Sequence, residues 1–265
     1  RVKEWGYEAV EWRIKEIPED WDRKPISYWG KNKTTIDLKD FLKNVERVKN
    51  ICEKVNLPIC ALDVDGVYPD LEKSELVIKG AKILNTELIR FEVATYNAGI
   101  GYQKLWQESQ EYLKSLEQLA KKNGIKVLIE NRPGTIASSP SLLYNLISQF
   151  DPQYVGILFD PGNLIYEGYI NWELAWDLIG DYIKHIHVKN SGWKEVDTSA
   201  DGNVEWQTVA SSLLGGIINW RKLAKLFLER GYQGYWSVED FSQIRTTEQK
   251  LVDNKIFLET ILKSV

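Results

Sequence analysis

The chain has 265 residues, 43% hydrophobic and 27% charged, with a net charge of −4 and a pI near 5.5. Length and composition fit one globular domain, 1–265, with a sizeable core. The acidic balance gives no electrostatic footprint for nucleic acid, and no apolar stretch approaches the roughly 20 residues needed to span a bilayer.

The chain opens on Arg1-Val2-Lys3-Glu4-Trp5-Gly6-Tyr7 and contains no Met. This opening reads as the end of a helix, closed by Gly6, running into a strand. Further sequence is therefore expected ahead of it. From there, strand-like and helix-like segments alternate. Short apolar runs predict strands at 9–13, 58–63, 88–93, 126–130, 155–160, 183–187 and 235–239. Amphipathic patterns predict helices at 38–55, 71–84, 102–123, 141–150, 172–179, 220–230 and 248–262. Asn56, Asn85, Gly124, Gly180 and Gly231 stand where C-terminal caps belong.

Strict alternation calls for parallel strands and crossover helices. Most strands recur near the roughly 30-residue spacing of one βα unit. The expected fold is an α/β (β/α)8 TIM barrel whose first strand precedes Arg1. An open doubly wound sheet is the weaker alternative, because it gathers ligands at one switch point.

Four strand ends carry metal-binding chemistry. Val127-Leu128-Ile129-Glu130, Ile157-Leu158-Phe159-Asp160, His185-Ile186-His187 and Trp236-Ser237-Val238-Glu239 each bring a carboxylate or imidazole to the C-terminal edge, where barrel sites are built. A carboxylate at the end of a buried strand is costly unless a cation or hydrogen bonds compensate it. Glu130, Asp160, His187 and Glu239 are thus the expected ligands of one divalent ion. Oxygen-rich chemistry favours Mn, Mg or Co, with Zn also compatible. A salt-bridged ring of carboxylates is the competing account. His185 shares the face of His187 but lies one layer deeper.

Around these, Lys189 and Arg132 follow His187 and Glu130 by two residues and join the substrate-contact candidates, with pairing to a carboxylate at the barrel mouth as the alternative for Lys189. Glu11 and Arg13, near the end of the first predicted strand, are candidates too, with surface roles as the alternative. The connection between His187 and Glu239, roughly 50 residues, is long for a βα loop. Its stretch 191–216 is expected to cover the site, with Trp193 reaching inward. The apolar run 209–218 makes self-association into a homo-oligomer the other reading of this segment. Cys52 and Cys60 are too few for a disulfide framework and are expected as free thiols in a reducing cytoplasm.

Glu130-Asn131-Arg132-Pro133-Gly134-Thr135, Phe159-Asp160-Pro161-Gly162-Asn163, His185-Ile186-His187-Val188-Lys189-Asn190 and Ser237-Val238-Glu239-Asp240 resemble the xylose-isomerase-like barrel superfamily. Within it, the sugar (phosphate) isomerase/epimerase group is most similar. Gly6-Tyr7-Glu8-Ala9-Val10-Glu11 resembles that group's entry to its second strand, and Gly231-Tyr232-Gln233-Gly234-Tyr235 its approach to the eighth.

The resemblance implies that Glu130 and Glu239 are both metal ligands and the acid/base pair, with Asp160 and His187 completing the site. It further implies a small-molecule sugar substrate and α-proton abstraction through an enediolate. The same chemistry with loss of water would make a dehydratase of an inosose- or dehydroshikimate-like substrate. A non-catalytic sugar-binding barrel is the third reading. The chain departs from the epimerase pattern where Asn163 and Arg132 replace His and where Asn190 replaces Asp. Asn163 takes its place among the candidate substrate contacts. An apurinic-site endonuclease of this superfamily would resemble a three-metal site rich in His, whereas only 2 His are present.

Overall fold

A computed structural model describes residues 1–27, 32 and 34–264. In chain order its elements are β1 (Val10–Lys15), β2 (Thr35–Asp37), α1 (Phe41–Lys54), β3 (Ile59–Val64), α2 (Leu71–Ile83), β4 (Leu88–Phe91), α3 (Tyr102–Asn123), β5 (Lys126–Glu130), α4 (Pro140–Ile147), β6 (Val155–Phe159), α5 (Pro161–Leu164), α6 (Trp172–Ile179), β7 (Ile183–Val188), β8 (Asn190–Thr198), β9 (Val204–Ser211), α7 (Trp220–Glu229), β10 (Trp236–Val238) and α8 (Thr247–Lys263). All seven predicted strands and all seven predicted helices are present. No helix among the described residues is long and apolar enough to cross a membrane.

The chain divides into two compact units. One comprises Tyr7–Glu130 with Leu146–Gly156. Its parallel strands run β2-β1-β3-β4-β5. The three-residue β2 is a further parallel strand, one that no periodicity predicts. Ile14, Leu62, Ile89 and Leu128 are buried on these strands, and Val45, Val77, Ile78 and Leu113 are buried on the helices. Gly80 sets the approach of α2 to α1, since a Cβ there would lie 2.5 Å from the Phe41 ring.

The other unit comprises Arg1–Gly6, Asn131–Asn145 and the chain from Ile157 onward. Here β6 pairs in parallel with β7, and β7 with β10. Phe227 anchors the outer layer, with ring centroids of Trp176, Phe159 and Trp236 at 5.1, 5.8 and 5.9 Å. Asn171, Asn219 and Thr246 cap α6, α7 and α8 with their side chains, Thr246 through a full capping box with Gln249.

The stretch 191–216 is largely a regular antiparallel hairpin of β8 and β9. Val196, Thr198, Val204, Thr208 and Val209 supply β-branched residues, and Gly202, at φ +85°, turns the chain between Ser199 and Asn203. Asn190 clamps its base. The Nδ2 group donates to the carbonyls of Leu213 and Ile218, and Oδ1 accepts from the Ser191 and Ile218 N–H groups.

Of the expected caps, Asn56, Asn85, Gly124 and Gly231 have positive φ. Gly180 keeps a right-handed conformation and serves packing instead, because a Cβ there would lie 2.7 Å from Trp176 Nε1.

Candidate active site

Asp160 is placed by local chemistry. Strand β6 ends at Phe159, and Pro161-Gly162-Asn163 starts α5 at once, which makes Asp160 the N-cap. Its Oδ1 accepts from the Asn163 N–H at 3.0 Å. The side chain of Asn131 holds its backbone from both sides, and Asn163 Nδ2 in turn donates to the Asn131 carbonyl at 3.1 Å. Asp160 is fully buried. With Oδ1 committed to the cap, Oδ2 is the oxygen turned toward cationic partners.

An imidazole and an ammonium approach it. His187, on β7, has Nδ1 4.0 Å from Asp160 Oδ2 and 3.6 Å from Glu239 Oε2. The His185 ring lies behind it on the same strand face, edge-on at 5.7 Å between centroids. Glu239 directly follows β10 and donates its N–H to the Val188 carbonyl at 3.0 Å. From α8, Lys250 and Asn254 bind the adjacent Asp240 and fix this strand end.

Lys189 supplies the ammonium. Its Nζ donates to Asp160 Oδ2 at 3.0 Å, Asn163 Oδ1 at 2.9 Å and Glu239 Oε2 at 2.9 Å, and lies 4.8 Å from the centre of the Phe241 ring.

This donor set fits a divalent cation. Two carboxylate oxygens and an imidazole nitrogen are the ligand types that Mg, Mn and Zn accept. Bonds of about 2.0–2.2 Å put neighbouring ligand atoms roughly 3.0–3.5 Å apart. The 3.6 and 4.0 Å separations are slightly wider, so a small inward movement of the side chains would close the shell.

The first unit carries the other candidates. Glu130 ends β5, with Oε2 3.4 Å from Arg90 Nε. Arg90 also donates to the Val64 carbonyl at 2.8 Å and pairs with Asp63 and Asp65. Burial alone would lower its pKa, but Asp63, Glu130 and Asp65 overcome this and push it higher. Burial pushes Asp63 up to about 7 against the pull of Arg90, with Asp65, Glu130 and Glu11 adding repulsion. Strand register sets Arg13, Asp63 and Arg90 side by side on β1, β3 and β4. The Arg13 guanidinium donates to Thr35 Oγ1 on β2 through Nε at 3.1 Å and Nη2 at 3.0 Å. Glu11 is half-buried on β1.

Asp160, Asn163, His187, Lys189 and Glu239 are thus brought together in one unit. Arg132 lies half-buried just beyond Asn131, its carbonyl accepting from Thr135 in a tight turn. Trp193 goes elsewhere. It is 41% exposed and lines a cavity of about 540 Å³ with Tyr169, Trp172, Ile217 and Leu226, in which no ligand candidate takes part. The alternation of β8 explains this, because Trp193 follows the buried Gly192 as the strand leaves the core.

Sequence reasoning missed Asn131 and Arg90. The signal for Arg90 was a guanidinium inside the four-residue run Leu88-Ile89-Arg90-Phe91. Asn131 carried none beyond adjacency to Glu130.

Residues 1–260 match the family model described as xylose isomerase-like TIM barrel. The chain is 28% identical over 142 residues to an inosose dehydratase of Clostridium perfringens, a match covering 51% of this chain and 46% of that protein. The chain therefore spans about half the length of the curated relatives it matches. Its structure resembles a xylose isomerase-like TIM barrel protein from Mycobacterium smegmatis, solved in complex with magnesium. The TM-score is 0.71 at 16% identity, covering 99% of this chain and 86% of that one. It also resembles 3-keto-D-glucoside 4-epimerase from E. coli, with a TM-score of 0.70 at 17% identity, covering 97% and 91% of the two chains. These low-identity likenesses speak for the fold, and the match of residues 1–260 places the chain in the xylose isomerase-like TIM barrel family.

Proposed function

We propose that the protein is a metal-dependent isomerase or epimerase of a small sugar, sugar phosphate or polyol-derived ketone. The observation that carries this reading is the convergence of Asp160, His187 and Glu239 at the ends of β6, β7 and β10. Glu130 completes the proposed ligand set. It is bonded directly to Asn131, the residue that locks Asp160 in place. When bound, a divalent ion of the Mn, Mg, Co or Zn type would polarise the substrate carbonyl and acidify the neighbouring C–H bond.

The chain's own residues do the rest. One of Glu130 and Glu239 removes the α-proton as a general base, and the other returns a proton as a general acid. Return to the opposite face of the same carbon gives epimerisation. Return to the adjacent carbon gives aldose–ketose isomerisation. Arg90 Nε, 3.4 Å from Glu130 Oε2, orients that carboxylate. Arg132, Asn163, Glu11 and Arg13 are the proposed substrate contacts, with Trp193 contributing only through movement of the hairpin. Substrate is the expected small-molecule partner, and the cytoplasm the expected compartment.

A second reading, dehydration of an inosose-like ketone, is favoured by the inosose dehydratases among the relatives. It uses the same proton abstraction and then expels a β-hydroxyl as water. A panel of ketoses, ketose phosphates and cyclic polyol ketones, incubated with Mn²⁺ in D₂O and followed by proton NMR, separates the two. Deuterium at an α-carbon of a rearranged product supports the first reading, and an unsaturated product the second. Absence of both exchange and product across the panel would refute both.

A further inference from the structure

We propose that Lys189 is a resident cation of the site, a positioning residue that holds Asp160 and Glu239 in place before any metal arrives. The inference rests on the metal-dependent reading only for its second arm. An ammonium has three donors, and Lys189 directs hydrogen bonds of 2.9–3.0 Å at Asp160 Oδ2, Asn163 Oδ1 and Glu239 Oε2. No donor then remains for a substrate oxygen, which favours carboxylate pairing over substrate contact, the two roles open to Lys189 in the sequence.

The slot around Lys189 is shaped for it. A Cβ on Gly162 would lie 2.6 Å from Lys189 Cγ, so only glycine leaves room for the stem. The Phe241 ring covers the ammonium. Trp220 Nε1 donates to the Lys189 carbonyl at 3.2 Å and pins the backbone.

The electrostatic need is specific. Asp160 is fully buried, and its Oδ2 and Glu239 Oε2 approach the same ammonium. Two such carboxylates without a cation repel each other and lose solvation. Lys189 neutralises one charge and sets the distance between them. With the proposed ligand set of Glu130, Asp160 and Glu239, one divalent ion and this ammonium together balance three carboxylates. The two cations also repel, so metal binding and Lys189 are energetically opposed while both depend on the same oxygens.

The test is a double-mutant cycle on the full chain in EDTA. Lys189→Met keeps the stem and removes every donor. It is expected to lower the melting temperature by roughly 5–10 °C. In a D160N/E239Q background the same substitution is expected to cost little, because no charges remain to be held. A deficit of equal size in both backgrounds would reduce Lys189 to packing and overturn the proposal, as would a parental melting temperature for Lys189→Met alone. Should Lys189→Met fail to fold, recovery of folding in the K189M/D160N/E239Q chain supports the proposal and failure there refutes it.

The second arm adds saturating Mn²⁺, which should shrink the Lys189→Met deficit and tighten Mn²⁺ binding at least about tenfold in titration calorimetry. Weaker Mn²⁺ binding by Lys189→Met would overturn the claim that the two cations oppose each other. If Mn²⁺ leaves the parent's melting temperature unchanged, the metal-dependent reading fails while the EDTA cycle still decides the role of Lys189.

Discussion

Asn131 and Asp160 are joined by a reciprocal pair of hydrogen bonds. Asn131 Nδ2 donates to the Asp160 carbonyl at 2.6 Å, and the Asp160 N–H donates to Asn131 Oδ1 at 2.8 Å. Both residues are fully buried, so neither backbone group of Asp160 has water to fall back on. A carboxamide is the one side chain that satisfies a donor and an acceptor at this spacing. Asn131→Ala should therefore cost about 2–4 kcal/mol, the sum expected for two buried groups left unpaired. The proposed metal affinity should fall ~10–100-fold, as when a support of a ligand is removed. Urea unfolding and Mn²⁺ titration check both, and unchanged Mn²⁺ affinity would detach Asn131 from the site.

Asp160 itself is the direct test of metal binding. Asp160→Ala removes a fully buried proposed ligand and the side-chain cap of α5. Metal analysis after dialysis should find one divalent ion per parent chain and none in the variant. Equal metal content in the two proteins would remove Asp160 from the ligand set.

Glu130→Gln and Glu239→Gln should separate chemistry from binding. The amide keeps the shape and one ligand oxygen but accepts no proton. Turnover should fall by at least ~10²-fold, with a smaller loss of metal. Near-parental turnover in either variant would show that residue is not the acid/base group. The partners differ, since Glu130 faces Arg90 and Glu239 faces Lys189, so the two variants should also differ in stability.

Asp63 makes a pH prediction. Its carboxyl is pushed up to about 7 from an ordinary 3.8, so the folded protein binds the proton more tightly than the unfolded chain. The stability this contributes is complete below about pH 4 and is lost as pH rises through about 7. Asp63→Asn, a neutral mimic of the protonated acid, should flatten the melting-temperature profile between about pH 4 and pH 7. Parallel profiles for variant and parent would show that Asp63 ionises normally in the fold.

Legibility in the sequence followed burial. The seven strands read from sequence are apolar runs covered by helices, which leave a periodicity that polar loops do not. Asp160, His187 and Glu239 were legible because each closes such a run. By contrast, β2 is three residues, Thr35-Ile36-Asp37, too short to show a period. The β8–β9 hairpin was read as a loop because most of its residues are exposed, so neither face needs an apolar code. Arg90 was missed because a charge in a strand reads as an outward residue, whereas this one is buried among carboxylates. Pairing of Lys189 with a carboxylate was legible as one of two roles, but its contacts with Gly162, Asn163 and Phe241 were not, because no spacing rule connects them to it.

The hairpin yields the last prediction. A two-stranded ribbon is marginal on its own, and this one holds Trp193 and Trp206 at 41% and 55% exposure. Cross-strand register puts Trp206 opposite Glu195 and Trp193 opposite Thr208, so both indoles lie on one face. Its base is rigid through the four hydrogen bonds of Asn190, while its outer part has few buried contacts. Such an element can move over a site without disturbing the core, and an enediolate needs protection from water. Replacing residues 194–207 with a tight turn spares Asn190 and the exit of β7. Metal content and melting temperature should therefore stay at parental values, while KM for a true substrate rises or kcat falls about tenfold or more. Parental kinetics combined with a change in sedimentation would assign the arm to assembly between copies of the chain. Loss of bound metal would instead show that the ribbon supports the ligands themselves.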